Sequence, residues 1–224
     1  MSRIFLTLSF LALVLIGINL VLGFAIGPLH EAARRYVEAQ RALQRVQVAA
    51  QVDRQERERA EEAVQQASGD YRPIRARYGL HMLVGIAAAL VAVLVNSISI
   101  TYFVGTSRWC REVIEAYGLS DEFLRRSQRL KRRAFAWAVS AMLLVVLLVA
   151  LGGASDPAAN LSSGDAFVFW HRIVAIITFL FMAWSFWAQL GLITANHSVI
   201  EEVMLEVHRV QEATAAATER ASSE

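Results

Sequence analysis

The chain has 224 residues, 56% of them hydrophobic, and 22 Lys and Arg against 20 Asp and Glu give a net charge of +2. This apolar share exceeds the roughly half that is usual in soluble domains, and the small net charge argues against a nucleic-acid partner. A lone cysteine, Cys110, excludes an intramolecular disulfide framework and a Cys-x-x-Cys metal motif.

Four apolar runs without acidic residues predict four transmembrane helices. Each run is about as long as a helix needs to cross a hydrocarbon core of roughly 30 Å. Arg172 is the only basic residue inside the runs. With their flanking residues, the predicted spans are 1–27, 81–104, 134–151 and 167–195.

The segments between the spans are rich in strong helix formers. We therefore predict an all-α fold: a polytopic membrane protein with four transmembrane helices and an extramembrane helical hairpin between spans one and two. The predicted connections are that hairpin at 28–80, a basic helical loop at 105–133, a short loop at 152–166 and a helical tail at 196–224.

The hairpin is predicted from a heptad seam. Small or apolar residues recur with 4-3-4-3-4 spacing at Ala32, Tyr36, Ala39, Leu43, Val46 and Ala50. One straight helix over 29–67 would reach about 58 Å, whereas residues 68–80 could return only about 43 Å. The helix must therefore either fold back near 51–59, which we favour, or lean along the membrane surface.

Local signals predict where other helices end. Pro28, Pro73 and Pro157 lie at the edges of apolar runs, where a helix would end or restart. Gly118 should close a helix that begins at Ser107, and Ser120 should cap a second helix that runs into span three.

The tail carries an apolar stripe that needs a cover. Its members are Ile200, Val203, Val207 and Val210. The favoured cover is the loop helix with Val113, Ile114, Tyr117 and Phe123, and a partner subunit is the alternative. Residues 215–224 lack a stripe and should fray.

Basic residues predict the orientation. The short 105–133 loop carries Arg108, Arg111, Arg125, Arg126, Arg129, Lys131, Arg132 and Arg133. Short basic loops stay in the cytoplasm. We therefore expect both termini and this loop to be cytoplasmic, in a bacterial inner (plasma) membrane, with 28–80 on the opposite face.

Three histidines are the only hint of chemistry. Under this topology His30, His81 and His171 fall on the non-cytoplasmic face, and imidazole is a common ligand of copper, zinc and haem iron. A shared ligand requires the His81 and His171 rings to lie within about 10 Å and to point inward. The opposing interpretation is an interfacial anchor, because His171 adjoins Trp170 and Arg172.

Enzymatic motifs are missing from the sequence. It contains no nucleophile-elbow, zincin or P-loop pattern, and we predict no catalytic residue. The spans contain no acidic group, which argues against a pump or a proton-coupled carrier.

The block from Asn96 to Val113, with its Gly-Thr-Ser-Arg-Trp-Cys core, resembles one found in uncharacterised four-span membrane proteins of planctomycete-type bacteria. That resemblance implies the same four-span layout and no activity. The His81-Met82 and His171-Arg172 pairs are similar to those of small four-helix proteins of haem–copper oxidase maturation. This chain departs from that pattern by lacking a histidine in span three and by inserting 28–80.

Two functions follow as hypotheses. The favoured one is a non-enzymatic scaffold or accessory subunit that binds membrane lipid and holds a protein partner or a second copy through its helical extensions. The alternative is a redox or oxidase-maturation protein that binds haem b or copper through His30, His81 and His171.

Overall fold

The computed structural model describes residues 2–49, 53–159 and 164–223. Its helices are α1 (Ser2–Ala25), α2 (Leu29–Val48), α3 (Arg54–Tyr117), α4 (Asp121–Ala154) and α5 (Gly164–Ser223), with a short 3₁₀ turn at Pro157–Ala159. The described residues contain no strand. The helices α1, α3, α4 and α5 are each long and apolar enough to cross a membrane, so the all-α polytopic fold is confirmed.

The segment between spans one and two is a hairpin of α2 and the first part of α3. The predicted seam faces inward on α2, where Ala32 is buried and the other described members are half-buried. The Tyr36 and Tyr71 rings stack across the pair with 5.3 Å between their centres. The break between the two helices falls between Val48 and Arg54, which overlaps the start of the predicted 51–59 stretch. Residues 29–67 are therefore not one continuous helix, and position 50 of the seam is outside the described residues.

The helix α3 is longer than any predicted element. Its 64 residues include the second arm of the hairpin, span two and the helix that the sequence placed after Ser107. The prediction of a helix end at Pro73 is wrong, because Pro73 lies inside α3. An interior proline costs a helix about 3 kcal/mol. Pro73 is exposed, while Tyr71 beside it stacks on Tyr36 of α2, so packing of the hairpin offsets this cost.

The predicted turn between α3 and α4 is confirmed. Gly118 has a φ of +61° directly after the last residue of α3, as a helix-ending glycine requires. The Ser120 hydroxyl accepts a hydrogen bond from the Glu122 backbone N–H at 3.3 Å. The helix α4 then continues without interruption from the loop into span three.

The chain divides into two compact units, each of which contains part of every span. Unit 1 comprises Met1–Leu13, Val91–Val145 and Leu180–Glu224, and unit 2 comprises Val14–Leu90 and Val146–Phe179. The core of unit 1 contains the fully buried side chains of Phe103 and Met182.

Buried polar side chains in unit 1 bond across helices. The Gln189 amide donates to the Asn96 side-chain oxygen at 3.0 Å, and the Asn196 amide donates to the Thr106 hydroxyl at 3.0 Å. Asn96 therefore joins neighbouring helices through its side chain, as polar residues in membrane helices often do. The Ser99 hydroxyl is buried without a partner among the described residues.

The tail is covered as predicted by the loop helices of unit 1. Val203 and Val207 of α5 and Ile114 of α3 are buried. Arg126 of α4 forms a two-pronged ion pair with Glu202 of α5. The expectation that 215–224 frays is wrong for the described residues, because α5 continues to Ser223. These alanine-rich residues extend an existing helix, which needs no new nucleation.

Candidate functional site

The candidate site is a pair of histidines in unit 2. His81 lies in α3 and His171 in α5, each near the start of its span. Their ring centres are 6.2 Å apart and the ring planes meet at 87°. Both side chains are half-buried, and their separation satisfies the distance that a shared ligand requires.

Each ring is held by a backbone carbonyl of the preceding span. His81 Nδ1 lies 3.1 Å from the Asn19 carbonyl oxygen, and His171 Nδ1 lies 3.2 Å from the Leu148 carbonyl oxygen. A carbonyl oxygen only accepts, so Nδ1 of each ring carries the hydrogen and donates it. The second nitrogen, Nε2, is then the unprotonated nitrogen of a neutral ring and is able to bind a metal.

Each ring also lies against a helical glycine. A Cβ built on Gly23 would come within 3.0 Å of His81 Cε1, and a Cβ built on Gly152 would come within 3.0 Å of His171 Cε1. The corresponding distances to Nδ1 and Nε2 are 3.4 and 3.8 Å in both places. A side chain at either position would therefore push the ring by a few tenths of an ångström relative to its carbonyl partner.

These contacts define two half-sites of the same construction. The first half-site is Asn19, Gly23 and His81, and the second is Leu148, Gly152 and His171. In both, the glycine follows the accepting residue by four positions. The four-residue spacing places the glycine one helical turn beyond the carbonyl, where Cε1 is the nearest ring atom to it.

The two half-sites are joined next to the histidine pair. The Tyr78 hydroxyl, one turn before His81, donates to Asp156 Oδ2 at 2.5 Å. Burial of the hydroxyl is the main cause that raises the pKa of Tyr78 well above its usual value, and the hydrogen bond to Asp156 is the second. Tyr78 therefore remains a neutral donor, and the α3 side of the site is tied to the turn after α4.

His30 does not complete a three-histidine site. Its Nε2 donates to the Ser155 carbonyl oxygen at 2.9 Å, and no group of three metal-ligating side chains occurs among the described residues. His197 and His208 are exposed on the tail.

The glycines and the acceptor carbonyls were not found by sequence reasoning, although a signal was present. The sequence His81-Met-Leu-Val84 is repeated as His171-Arg-Ile-Val174, and Leu22-Gly23 is repeated as Leu151-Gly152. These matches are short and have different separations in the chain, so they hint at the pairing of the two histidines but do not establish it.

Comparison with known proteins adds no relative. No family model matches the chain, and no curated protein and no solved structure matches it either. The function must therefore be argued from the histidine pair itself.

Proposed function

We propose that this protein is a membrane redox protein in which His81 and His171 bind one metal centre, a haem iron or a copper ion. The observation that carries the proposal is the facing pair of rings, 6.2 Å apart between centres, with both Nδ1 atoms engaged by carbonyls. Two imidazoles bound on opposite sides of one metal, with bonds of about 2 Å, have ring centres about 6 Å apart.

The spacing alone is also that of an edge-to-face ring pair without a metal. The hydrogen bonds favour the metal centre, because metal-binding histidines almost always donate their other N–H to a carbonyl or carboxylate. That second contact selects the tautomer and orients the ring. Here both rings make this hydrogen bond, with lengths of 3.1 and 3.2 Å.

The bound metal would supply one-electron transfer, and the protein would orient the ligands and limit the access of water. This function suits an electron carrier or an oxidase-maturation factor. We place the protein in a bacterial inner membrane with both termini in the cytoplasm, because the 105–133 loop is strongly basic. The histidine pair then lies near the non-cytoplasmic surface.

Metal content tests this proposal. Full-length protein purified in detergent should contain about one haem or one copper per chain, by absorbance and by elemental analysis. His81→Ala and His171→Ala should each remove it, while His197→Ala should not, because His197 is exposed on the tail. Metal-free wild-type protein that also fails to take up hemin or Cu(I) would refute the proposal.

A scaffold or accessory subunit is the second candidate function. The α2–α3 hairpin, as an antiparallel coiled coil, and the exposed end of α5 would bind a protein partner or a second copy, while the apolar span faces contact lipid. Exposed Val37 and Val48 on α2 favour this function. Isolation of a stable complex that survives His81→Ala but is lost on deletion of the hairpin would support it.

A further inference from the structure

Resting on the proposed function, we infer that the shared ligand is a haem b, bound through Nε2 of His81 and Nε2 of His171. Gly23 and Gly152 are the positioning residues that set the two imidazole planes at right angles. Three observations support this inference: the number of protein donors, the equality of the two half-sites, and the positive charge beside them.

The number of protein donors separates a haem from a bare ion. Protein-bound zinc and copper ions take three or four side-chain ligands in most sites. In the part of the chain that the structure describes, no third metal-ligating group joins the pair. A haem iron needs only two axial ligands, because the porphyrin nitrogens occupy its other positions. A single cysteine in the chain cannot form the two thioether bonds of a c-type haem, which leaves a non-covalently held haem b.

The equality of the half-sites indicates which part of each ring faces the ligand. The contacts of the two rings with Gly23 and Gly152 have the same three distances. Each ring is therefore held by the same arrangement of one carbonyl and one glycine. The ring planes meet at 87° with their centres 6.2 Å apart, an arrangement that two imidazoles on opposite sides of one haem iron can also adopt. The nitrogen left free by the Asn19 and Leu148 carbonyls is Nε2.

Arg172 supplies a charge suited to haem. It is the only basic residue within the four apolar runs and directly follows His171. Its guanidinium lies over the Phe24 ring, 5.8 Å from the ring centre, and the residue remains exposed. Haem b has two propionate groups, and arginine is the side chain that pairs best with carboxylates.

Neighbouring glycines offer a matched test of the positioning role. A Cβ at Gly152 meets the His171 ring, whereas a Cβ at Gly153 meets nothing within 4 Å. On the first half-site, Gly23 meets the His81 ring, while Gly17 has only ordinary contact with Phe179 at 3.5 Å. Gly152→Ala and Gly23→Ala should therefore shift a ring, and Gly153→Ala and Gly17→Ala serve as their controls.

The experiment titrates hemin and Cu(I) separately into metal-free, full-length protein in detergent. Wild type should bind one hemin, with the absorbance of a six-coordinate low-spin haem. Ferric protein should show the single large-g EPR signal of perpendicular imidazole planes. Gly152→Ala and Gly23→Ala should lower hemin affinity by about tenfold or more, as loss of second-shell support does, and should change the EPR signal. The two controls should behave as wild type.

Each outcome decides a separate claim. Copper binding that depends on both histidines, without hemin binding, overturns the haem assignment and leaves the proposed metal centre standing. Failure of both ligands to bind overturns the proposed function. Equal hemin affinity and EPR signals in Gly152→Ala and Gly153→Ala overturn the positioning role.

Nitrogen NMR of metal-free protein with ¹⁵N-labelled histidine separates misfolding from misplacement of a ring. In wild type, His81 and His171 should both be Nδ1–H tautomers. In folded Gly152→Ala, only the His171 signal should change. An unchanged His171 signal would contradict the positioning role whether or not any haem binds.

Discussion

At the scale of single residues, the ion pair between Arg126 and Glu202 makes part of the stability of unit 1 dependent on pH. The hydrogen bond from Arg126 holds the pKa of Glu202 below its usual value of 4.5. A lowered carboxyl pKa adds stability at pH values above the unfolded-state pKa, and this stability is lost as the pH falls through the folded-state pKa. The side chains of Arg126 and Glu202 are 39% and 43% exposed, so solvent screens the attraction between their charges.

We therefore expect Glu202→Gln to lower the free energy of unfolding by up to about 1 kcal/mol at pH 7 and by less near pH 4. Thermal unfolding in detergent at the two pH values measures the difference. Glu212→Gln, at an exposed position of α5, is the control. An equal loss at both pH values would show that the ion pair does not act through the charge of Glu202.

At the scale of elements, the α2–α3 hairpin depends on its half-buried seam. Leu43 of α2 belongs to this seam, and its neighbour Gln44 is exposed. Leu43→Asp should open the hairpin, because an unpaired polar group in a seam costs about 1–3 kcal/mol. Limited proteolysis should then cut α2 in the mutant while the four spans stay inserted. Gln44→Asp adds the same charge at a solvent position and should leave the protease resistance unchanged.

Across the whole molecule, orientation can be tested with thiol labelling, although not through the native cysteine. Cys110 is fully buried, and burial raises the pKa of its thiol. Because the thiolate is the reactive form, Cys110 should resist labelling even in lysed cells.

Single cysteines at exposed positions report the two sides instead. In a Cys110→Ser background, Ala42→Cys on the hairpin should react with an impermeant maleimide in intact spheroplasts. Ala216→Cys on the tail should react only after lysis; both positions are exposed. Labelling of position 216 from outside would reverse the proposed orientation.

Much of the fold could be predicted because its signals are local. Four apolar runs determine four spans, the 4-3-4 spacing around Leu43 determines a seam, and Gly118 and Ser120 determine where α3 ends and α4 begins. Each signal depends on residues within a few turns of one another. Pro73 is the exception, since the packing of α3 on α2 overrides its local preference.

The tertiary structure alone decided the site. The sequence placed His30, His81 and His171 at one depth, but depth does not determine which way a side chain faces. Rotation of each helix about its own axis brings His81 and His171 together and turns His30 to the Ser155 carbonyl. That rotation follows from packing between distant segments, including Gly23 and Gly152 against the rings, and no local sequence pattern specifies it.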